Sequence, residues 1–153
     1  MCGILGVLGK SQPKREKFAF ALNKILHRGP DNQEYKVVDK NCILGHTRLS
    51  VLDLNKRSNQ PFVINDFVIT YNGEIFNHKE IRVELVNKGL NFKTTSDTEV
   101  VLNSYIFWGE KCVEKFNGMW AFCIYNSKTK KTFISRDRFG IKPLRYSFFN
   151  ETL

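Results

Sequence analysis

The chain opens with Met1-Cys2-Gly3-Ile4-Leu5-Gly6-Val7-Leu8-Gly9, an apolar run that Lys10 ends. The run has no basic region before it and is too short for a secretory signal peptide, so it predicts a buried first strand. The small second residue permits removal of Met1, which would place a thiol and a free α-amine on Cys2. That amine can take the proton of the thiol near neutral pH, and the thiolate is the nucleophilic form. Cys2 is therefore the candidate nucleophile.

Length and composition predict one folded domain. The 153 residues are 42% hydrophobic and 13% aromatic, which is enough apolar material for a core and excludes a disordered chain. No stretch approaches the roughly 20 apolar residues that cross a bilayer. The four cysteines are scattered without a C-x-x-C pair, which argues against a zinc site and a disulfide framework. We expect a soluble, cytoplasmic protein with no metal and no membrane partner.

The net charge of +9 raises the question of a nucleic-acid partner. The basic residues are dispersed, however, and no RNA- or DNA-binding motif accompanies them. The segment from Lys128 to Lys131 resembles the polar tip of a hairpin between two strands. A solvated basic face is the better interpretation, and we expect no nucleic-acid partner.

The apolar periodicity predicts helices and strands in runs, which favours an α+β fold over a doubly wound sheet. Helices are predicted at Lys14 to His27 and at Asn77 to Lys88, and a third begins after Ser96-Asp97-Thr98-Glu99, which has capping-box spacing. Besides the first strand, the predicted strands are Gln33 to Val38, Cys42 to Arg48, Phe67 to Tyr71, Met119 to Tyr125, Lys131 to Arg136 and Arg145 to Phe149.

The dipeptide Asn72-Gly73 follows the predicted strand Phe67 to Tyr71 and permits two interpretations. A side-chain amide and an unhindered backbone N–H are suitable donors to the oxyanion that forms when a thiolate attacks a carboxamide. Asn-Gly is also the commonest type I′ turn, and by itself the dipeptide favours the turn. None of the three histidines, His27, His46 and His78, comes with a Cys-His-Asn arrangement, so each is interpreted as structural.

Eight segments, in order over nearly the whole chain, resemble the class II glutamine amidotransferases and, among them, the asparagine synthetases, especially the bacterial type. The matching segments are Met1 to Ile4, His27-Arg28-Gly29-Pro30-Asp31, Gly45 to Ser50, Gln60-Pro61-Phe62, Tyr71 to Asn77, Ser96 to Glu99, Asn117 to Phe122 and Arg136 to Leu144. The resemblance implies an N-terminal-nucleophile hydrolase fold, an αββα sandwich of two antiparallel sheets between helical layers.

The resemblance also implies roles for particular residues. Cys2 is the nucleophile, and Asn72 and Gly73 form the oxyanion hole. The substrate-binding residues are Arg48, which pairs with the α-carboxylate of glutamine, the backbone around Leu49 and Val51, and Glu74 and Asp97, which receive the α-ammonium. Without the resemblance, Asp97 would be interpreted as a helix-start acid and Arg48 as a surface charge.

The implied activity is the glutaminase half-reaction of an asparagine synthase, in which a Cys2 thioester releases ammonia from glutamine. We expect residues 1–153 to form a type 2 glutamine amidotransferase domain that is incomplete at its C-terminus. The synthetase domain that would use ATP and Mg is not expected in this chain, so no cofactor is expected here. Its expected partners are glutamine and a synthetase domain or subunit, and a homodimer is allowed.

Two alternatives stay open at this point. Another class II amidotransferase would differ in the acceptor that the glutamine nitrogen finally reaches. An inactive amidotransferase-like binding domain would be favoured by retention of Met1. One departure from the resemblance is Arg145, at a position where relatives usually carry tyrosine.

Overall fold

The computed structural model describes residues 1–10, 13–51 and 53–153. Short 3₁₀ turns occupy Leu26–Arg28, Lys56–Ser58 and Gly109–Lys115. The strands and helices of the described residues are, in chain order, β1 (Gly3–Leu8), α1 (Arg15–Asn23), β2 (Asn32–Asp39), β3 (Cys42–Arg48), β4 (Phe62–Ile64), β5 (Phe67–Ile75), α2 (His78–Asn87), α3 (Asp97–Trp108), β6 (Gly118–Asn126) and β7 (Thr132–Arg136).

The strands form two antiparallel sheets. In the first sheet the order is β1-β3-β2, and in the second it is β4-β5-β6-β7. The long central pair of the second sheet, β5 and β6, sets Gly73 opposite Trp120. In the first sheet Gly3 lies opposite Thr47 near the end of β3. The residue before β1 and the second half of β5 lie at the same end of the molecule, where both line one cleft.

The two sheets pack against each other between helical layers. An apolar cluster of Cys42, Leu44, Val68, Cys123 and Tyr125 lies between the sheets. Because side chains alternate along a strand, the opposite face of β3 is free to receive a helix.

Helix α1 covers that outer face of the first sheet. Phe18 and Leu22 of α1 pack on Ile43. A Cβ on Gly45 would lie only 2.9 Å from the ring of Phe18, so the glycine lets α1 approach closely. On the other side, Ile81 and Leu85 of α2 and the buried face of α3 pack on the outer face of the second sheet. The predicted αββα sandwich is confirmed.

The structure confirms most of the predicted elements and extends one of them. Strand β3 has the predicted bounds, and the strands β2, β6 and β7 differ from the predictions by a residue at one end or at both. Strand β5, however, runs to Ile75. The dipeptide Asn72-Gly73 therefore lies inside a strand paired with β6, and the type I′ turn interpretation is wrong.

Other predictions need correction. The predicted strand at Arg145 to Phe149 is wrong: after β7 the chain turns away at Asp137, and only Phe149 forms an isolated bridge, to Thr152. Strand β1 is an edge strand and is mostly half-buried, not buried, since it has β3 on one side only. The predicted first helix is shorter, because α1 ends at Asn23 and the chain continues into a 3₁₀ turn.

The capping box before α3 forms only in part. The Ser96 hydroxyl accepts a hydrogen bond from Thr98 N at 3.1 Å, as an N-cap does. The Glu99 carboxylate binds outside the box, accepting hydrogen bonds from Lys93 N at 2.8 Å and from Thr94 N at 2.7 Å. Glu99 thus fixes the segment that leads into the helix. Over the described ranges, no helix is long and apolar enough to span a membrane.

Candidate active site

A cleft of about 220 Å³ opens at the end of the molecule where Cys2 and the second half of β5 meet. All eight residues that the sequence singles out as catalytic or substrate-binding line it. They are Cys2, Arg48, Leu49, Val51, Asn72, Gly73, Glu74 and Asp97. These residues come from both sheets, from the N-terminus of α3 and from the loop after β3. Their individual roles stay predictions, but one cleft holds them all.

Two side chains fix the peptide bond that joins Cys2 to Gly3. Arg28 donates from Nε to the Cys2 carbonyl oxygen at 3.1 Å, and Gly3 N donates to Thr47 Oγ1 at 3.1 Å. The Leu49 N–H points at the Cys2 sulfur, with 3.4 Å between the two heavy atoms. A thiolate would readily accept a hydrogen bond from this amide. The half-buried thiol therefore sits at a defined place at the end of β1.

The segment His27 to Asp31 explains how this end of the first sheet is fixed. A side chain at Gly29 would collide with the carbonyl of Thr47, so only glycine lets the chain pass so close to β3. Asp31 accepts a hydrogen bond from Ser50 N at 2.7 Å, just after β3 ends. Together with Arg28, these residues join the 3₁₀ turn, Cys2 and the loop after β3 into one unit.

Gly73 presents its backbone N–H towards the cleft. Trp120 lies opposite Gly73 on β6. Its N–H donates to Asp137 Oδ2 at 3.3 Å, and its carbonyl oxygen accepts from Asp137 N at 2.8 Å. Opposite residues of an antiparallel pair either both face each other or both face away, so the Gly73 amide faces away from β6. On that side β4 does not pair with Gly73, because β4 begins at Phe62 and Phe62 pairs with Ile69.

The neighbouring amides on this side of β5 are occupied. Tyr71 N donates to the Gln60 side chain at 2.6 Å, and Ile75 N donates to Asp97 Oδ2 at 3.1 Å. Gly73 N lies between these two and has no hydrogen-bond partner among the described residues. It is a fixed donor in the cleft that Cys2 lines, which is what an oxyanion hole requires.

Asn72 and Gly73 differ in what keeps them in place. Asn72 is buried, yet its side-chain amide makes no hydrogen bond to a described residue. Its side chain lies on the same face of β5 as that of Thr70, which contacts the first sheet. That face carries the amide towards the cleft that Cys2 lines. Gly73 has no room for a side chain, since a Cβ would collide with the Met119 carbonyl oxygen.

Asp97 is a buried carboxylate at the N-terminus of α3. Its Oδ2 accepts hydrogen bonds from the Tyr71 hydroxyl at 2.7 Å and from Ile75 N at 3.1 Å. Burial raises the pKa of Asp97, and the Tyr71 and Ile75 hydrogen bonds offset this only in part. Burial beside this carboxylate in turn raises the pKa of Tyr71 well above its usual value. A cationic group in the cleft would stabilise the ionised form of Asp97.

Arg48 is buried at the end of β3 and anchors the loop that follows. Its guanidinium donates to Asn59 Oδ1 at 2.6 Å, to the Asn55 carbonyl at 3.1 Å and to the Asp53 carbonyl. Burial alone would raise the pKa of Asp53, but hydrogen bonds from Thr95, Ser58 and Asn55 hold it well below its usual range. The ionised Asp53 thus ties the loop to the segment before α3. This network makes Arg48 a fixed cation in the cleft wall.

The other predicted substrate-binding residues lie at the rim or on β5. Val51 is 71% exposed and Leu49 is 37% exposed, so they form an open rim of the cleft. Glu74 follows Gly73 on β5, opposite Met119, and its side chain makes no hydrogen bond to a described residue. A second acid therefore lines the cleft in addition to Asp97.

The sequence interpretation gave no role to three residues of the cleft. Gln60 bridges Tyr71 N and Thr98 Oγ1, to which it donates at 3.2 Å. Tyr71 holds Asp97, and Lys142 lines the cleft beside Met1. All three lie in the family-like segments, which was the available indication. Among the described residues no group of three or more His, Cys, Asp or Glu side chains could hold a metal ion.

Comparison with known proteins identifies relatives over the full chain. Residues 1–153 match a family model described as a glutamine amidotransferase domain. A putative glutamine-hydrolysing asparagine synthetase 2 of Methanocaldococcus jannaschii is 40% identical over 168 residues, covering 95% of this chain and 32% of that protein. A glutamine-hydrolysing asparagine synthetase 1 of Bacillus subtilis is 40% identical over 158 residues, covering 99% of this chain and 25% of that protein. The chain thus spans a quarter to a third of the length of these curated relatives.

Solved structures show the same fold. The glutamine phosphoribosylpyrophosphate amidotransferase of B. subtilis superimposes with a TM-score of 0.82 at 18% identity, over 99% of this chain and 40% of that chain. A structure described as the allosteric regulatory enzyme of purine biosynthesis gives a TM-score of 0.72 at 19% identity, over 92% of this chain and 38% of that chain. These likenesses confirm the predicted N-terminal-nucleophile fold. The chain therefore belongs to the family of glutamine amidotransferase domains, in the class II group that its ordered motifs predict.

Proposed function

We propose that this chain hydrolyses glutamine to glutamate and ammonia through a thioester on Cys2, and that the ammonia serves asparagine formation by an ATP-dependent synthetase domain or subunit. The observation that carries the proposal is the Gly73 N–H, a backbone donor with no partner among the described residues, in the same cleft as the Cys2 thiol. The acceptor rests on the 40% identity to the asparagine synthetases.

The proposed chemistry begins with loss of Met1. While Met1 is attached, the nitrogen of Cys2 is an amide and has no basic lone pair, so it cannot act as the base for the thiol. After removal, the α-amine takes the thiol proton, and the thiolate forms a bond to the δ-carbon of glutamine. The carbonyl electrons move to oxygen, and the Asn72 amide and Gly73 N–H stabilise the resulting oxyanion.

The remaining steps restore the enzyme. When the tetrahedral intermediate collapses, the carbon–nitrogen bond breaks and the α-ammonium of Cys2 returns a proton to the leaving nitrogen, which departs as ammonia. Water then attacks the thioester, which yields glutamate and the free thiol. No cofactor takes part in these steps, and ATP and Mg belong to the synthetase reaction.

The charges of the cleft match the two ends of the amino acid. Arg48 would pair with the α-carboxylate, because its guanidinium is a cation held in the wall of the cleft. Glu74 and Asp97 would receive the α-ammonium. The protein backbone around Leu49 and Val51, at the rim of the cleft, would lie near the substrate. The free thiol of Cys2 supports a reducing compartment, such as the cytoplasm, as the place of the reaction.

The test combines processing and chemistry in one preparation. Intact mass of the purified chain should show loss of Met1, and a diazoketone analogue of glutamine should add one equivalent, localised to Cys2 by peptide mapping. Glutamate release should follow, and Cys2→Ala should abolish both labelling and turnover. Cys112→Ala is the matched control, since that thiol is buried away from the cleft. Glutamate release by Cys2→Ala at the wild-type rate would refute the proposal.

A further inference from the structure

Lys142 is a nearly buried cation in the wall of the cleft. Its exposed fraction is 5%, and it lines the same cavity as Cys2, Asn72 and Gly73. The ammonium donates to the thioether sulfur of Met1 at 3.2 Å, and this is its one hydrogen bond within the described part of the chain. None of the ion pairs among those residues involves it. A thioether is a weak acceptor, so the burial of this charge is poorly compensated.

The surrounding backbone holds Lys142 in this position. Its own N–H donates to Asp137 Oδ2 at 2.9 Å, and its carbonyl oxygen accepts from Arg136 Nε at 2.7 Å. Asp137 Oδ2 also accepts from the N–H of Trp120, the residue opposite Gly73. Burial alone would raise the pKa of Asp137, but the hydrogen bonds from this turn lower it, so the carboxylate is ionised and organises the turn. The segment from Arg136 to Lys142 is thus tied to the reacting end of the cleft.

The contact with Met1 ties the ammonium to the residue that precedes the nucleophile, in the same cleft. Met1 is joined to Cys2, so the Lys142 ammonium lies within the reach of one side chain from the Cys2 nitrogen. Loss of Met1 removes the acceptor of Lys142 and leaves a free α-amine and a thiol in its place. Lys142 then lines the cleft that holds the two groups that must exchange a proton.

Other charged or titratable groups also face this region. From the 3₁₀ turn, Arg28 contacts the Cys2 carbonyl. Arg48 projects from the end of β3, Tyr71 and Glu74 lie on β5, and Asp97 lies at the start of α3. Arg48 is bonded to the loop after β3, and Asp97 to Tyr71. Lys142 differs from these groups because the one partner of its ammonium among the described residues is part of the residue that processing removes.

We propose that Lys142 is a positioning residue of the processed chain, whose ammonium favours the thiolate of Cys2 and disfavours protonation of its α-amine. This inference rests on the function proposed above, since it assumes removal of Met1. An opposite charge within about 4–6 Å favours the ionised thiol, and a like charge disfavours the ammonium. Both effects move the onset of Cys2 reactivity to lower pH.

The experiment measures Cys2 reactivity without requiring turnover. Processed wild type, Lys142→Met and Lys142→Arg are alkylated with iodoacetamide from pH 5 to 10, and the rate at Cys2 is read by mass spectrometry. Lys142→Met keeps the length of the side chain without its charge, and we expect the midpoint of its profile to rise by about one pH unit. Lys142→Arg should restore the wild-type midpoint. Lys128→Met, at an exposed position of the β6–β7 hairpin, is the control and should change nothing.

A second measurement separates this inference from the proposed function. The acid limb of kcat/KM for glutamine should shift upward with the alkylation midpoint in Lys142→Met. A wild-type chain that alkylates at Cys2 but never hydrolyses glutamine would refute the function and leave the alkylation test intact. An unchanged midpoint in Lys142→Met would overturn the role of Lys142, whatever the turnover. Lys142→Gln provides the same test if the methionine variant does not fold.

Discussion

The hydroxyl of Tyr71 donates a 2.7 Å hydrogen bond to the carboxylate of Asp97, and both groups are buried in the wall of the cleft. Tyr71 lies on β5, one residue before Asn72, whereas Asp97 is the first residue of α3. The bond therefore joins the strand that carries the proposed oxyanion donors to the helix that carries the proposed ammonium acceptor. Together with the hydrogen bond from Ile75 N to Asp97 Oδ2, this buried contact sets the distance between the two ends of the proposed substrate site.

We predict that Tyr71→Phe makes glutamine binding more sensitive to acid. Burial raises the pKa of Asp97, and the Tyr71 hydrogen bond is one of the contacts that oppose this, so its loss raises the pKa further. The α-ammonium binds the ionised carboxylate, so KM should rise as pH falls, and in Tyr71→Phe the rise should begin at a higher pH. KM measured from pH 5 to 8 tests this.

Asp97→Asn is the control for that measurement. It cannot titrate at this position, so its KM should be high and lack the Asp97-dependent change with pH. Identical KM profiles in wild type and Tyr71→Phe would show that the hydrogen bond does not tune the carboxylate.

The adjacent residues Asn72 and Gly73 should fail in different ways. Asn72→Ala should lower kcat by about 10²–10³ with little change in KM, as expected for loss of one oxyanion donor. Its circular dichroism and melting temperature should stay close to wild type, because the Asn72 side chain has no hydrogen bond to a described residue. Gly73→Ala should instead destabilise the fold by about 1–3 kcal/mol, because the new methyl group collides with β6. An unfolded Asn72→Ala protein, or one with normal turnover, would contradict the assignment of Asn72.

The sequence predicts the strands and helices around this site better than the long-range contacts between them. Local apolar and capping patterns predict strand β3 and the N-cap at Ser96. Both predictions hold because the burial of these residues in the fold agrees with the local pattern. Asn72-Gly73 was ambiguous because a local rule favours a turn, whereas β6 extends the pairing of β5 beyond it. The pairing of β5 with β6 therefore places Asn72 and Gly73 in a strand and not in a turn.

Long-range contacts lay beyond any local pattern. The open amide of Gly73 depends on β4 starting at Phe62 and on Trp120 facing Asp137, neither of which the sequence around Gly73 encodes. Lys142 is separated from Met1 by nearly the whole chain, so no spacing rule could place it in the cleft. The segment Arg145 to Phe149 has strand-like composition, but it pairs with no strand of the described residues.

Arg48 should govern recognition of the substrate carboxylate. Loss of a charge-assisted pair costs about 1.5–3 kcal/mol, so Arg48→Ala should raise KM about 10- to 100-fold. Arg48→Lys should recover only part of the loss, because an ammonium lacks the planar fork. A glutamine analogue without the α-carboxylate should react equally with wild type and Arg48→Ala, which kinetics with both substrates would show.

A loop control is needed because Arg48 also holds the segment after β3. Asp53→Asn weakens the same loop through its contacts with Thr95 and Arg57 while leaving the guanidinium in place. Its KM for glutamine should rise less than that of Arg48→Ala. If the two variants were equally impaired, the effect of Arg48 would be that of the loop.

His46 should make the domain sensitive to acid. The imidazole is fully buried, and its Nε2–H donates to the Tyr71 carbonyl at 3.1 Å. Burial lowers the pKa of His46 to about 4, mainly because the charged form is poorly solvated, although the Tyr71 hydrogen bond opposes the shift. The folded state therefore binds the proton less well than the unfolded state does. The stability contribution of neutral His46 is present above the unfolded pKa and is lost as pH falls towards about 4.

We expect this linkage to remove roughly 3 kcal/mol of unfolding free energy between pH 7 and pH 4. His46→Gln can keep a donor to the Tyr71 carbonyl without titrating, so it should be less stable than wild type at pH 7 but lose less stability on acidification. Urea unfolding at several pH values measures the difference, and His27→Gln, at an exposed position, serves as the control. The imidazole is the only titrating difference between wild type and His46→Gln. Parallel plots of their unfolding free energy against pH would therefore show that protonation of His46 does not cause the loss of stability in acid.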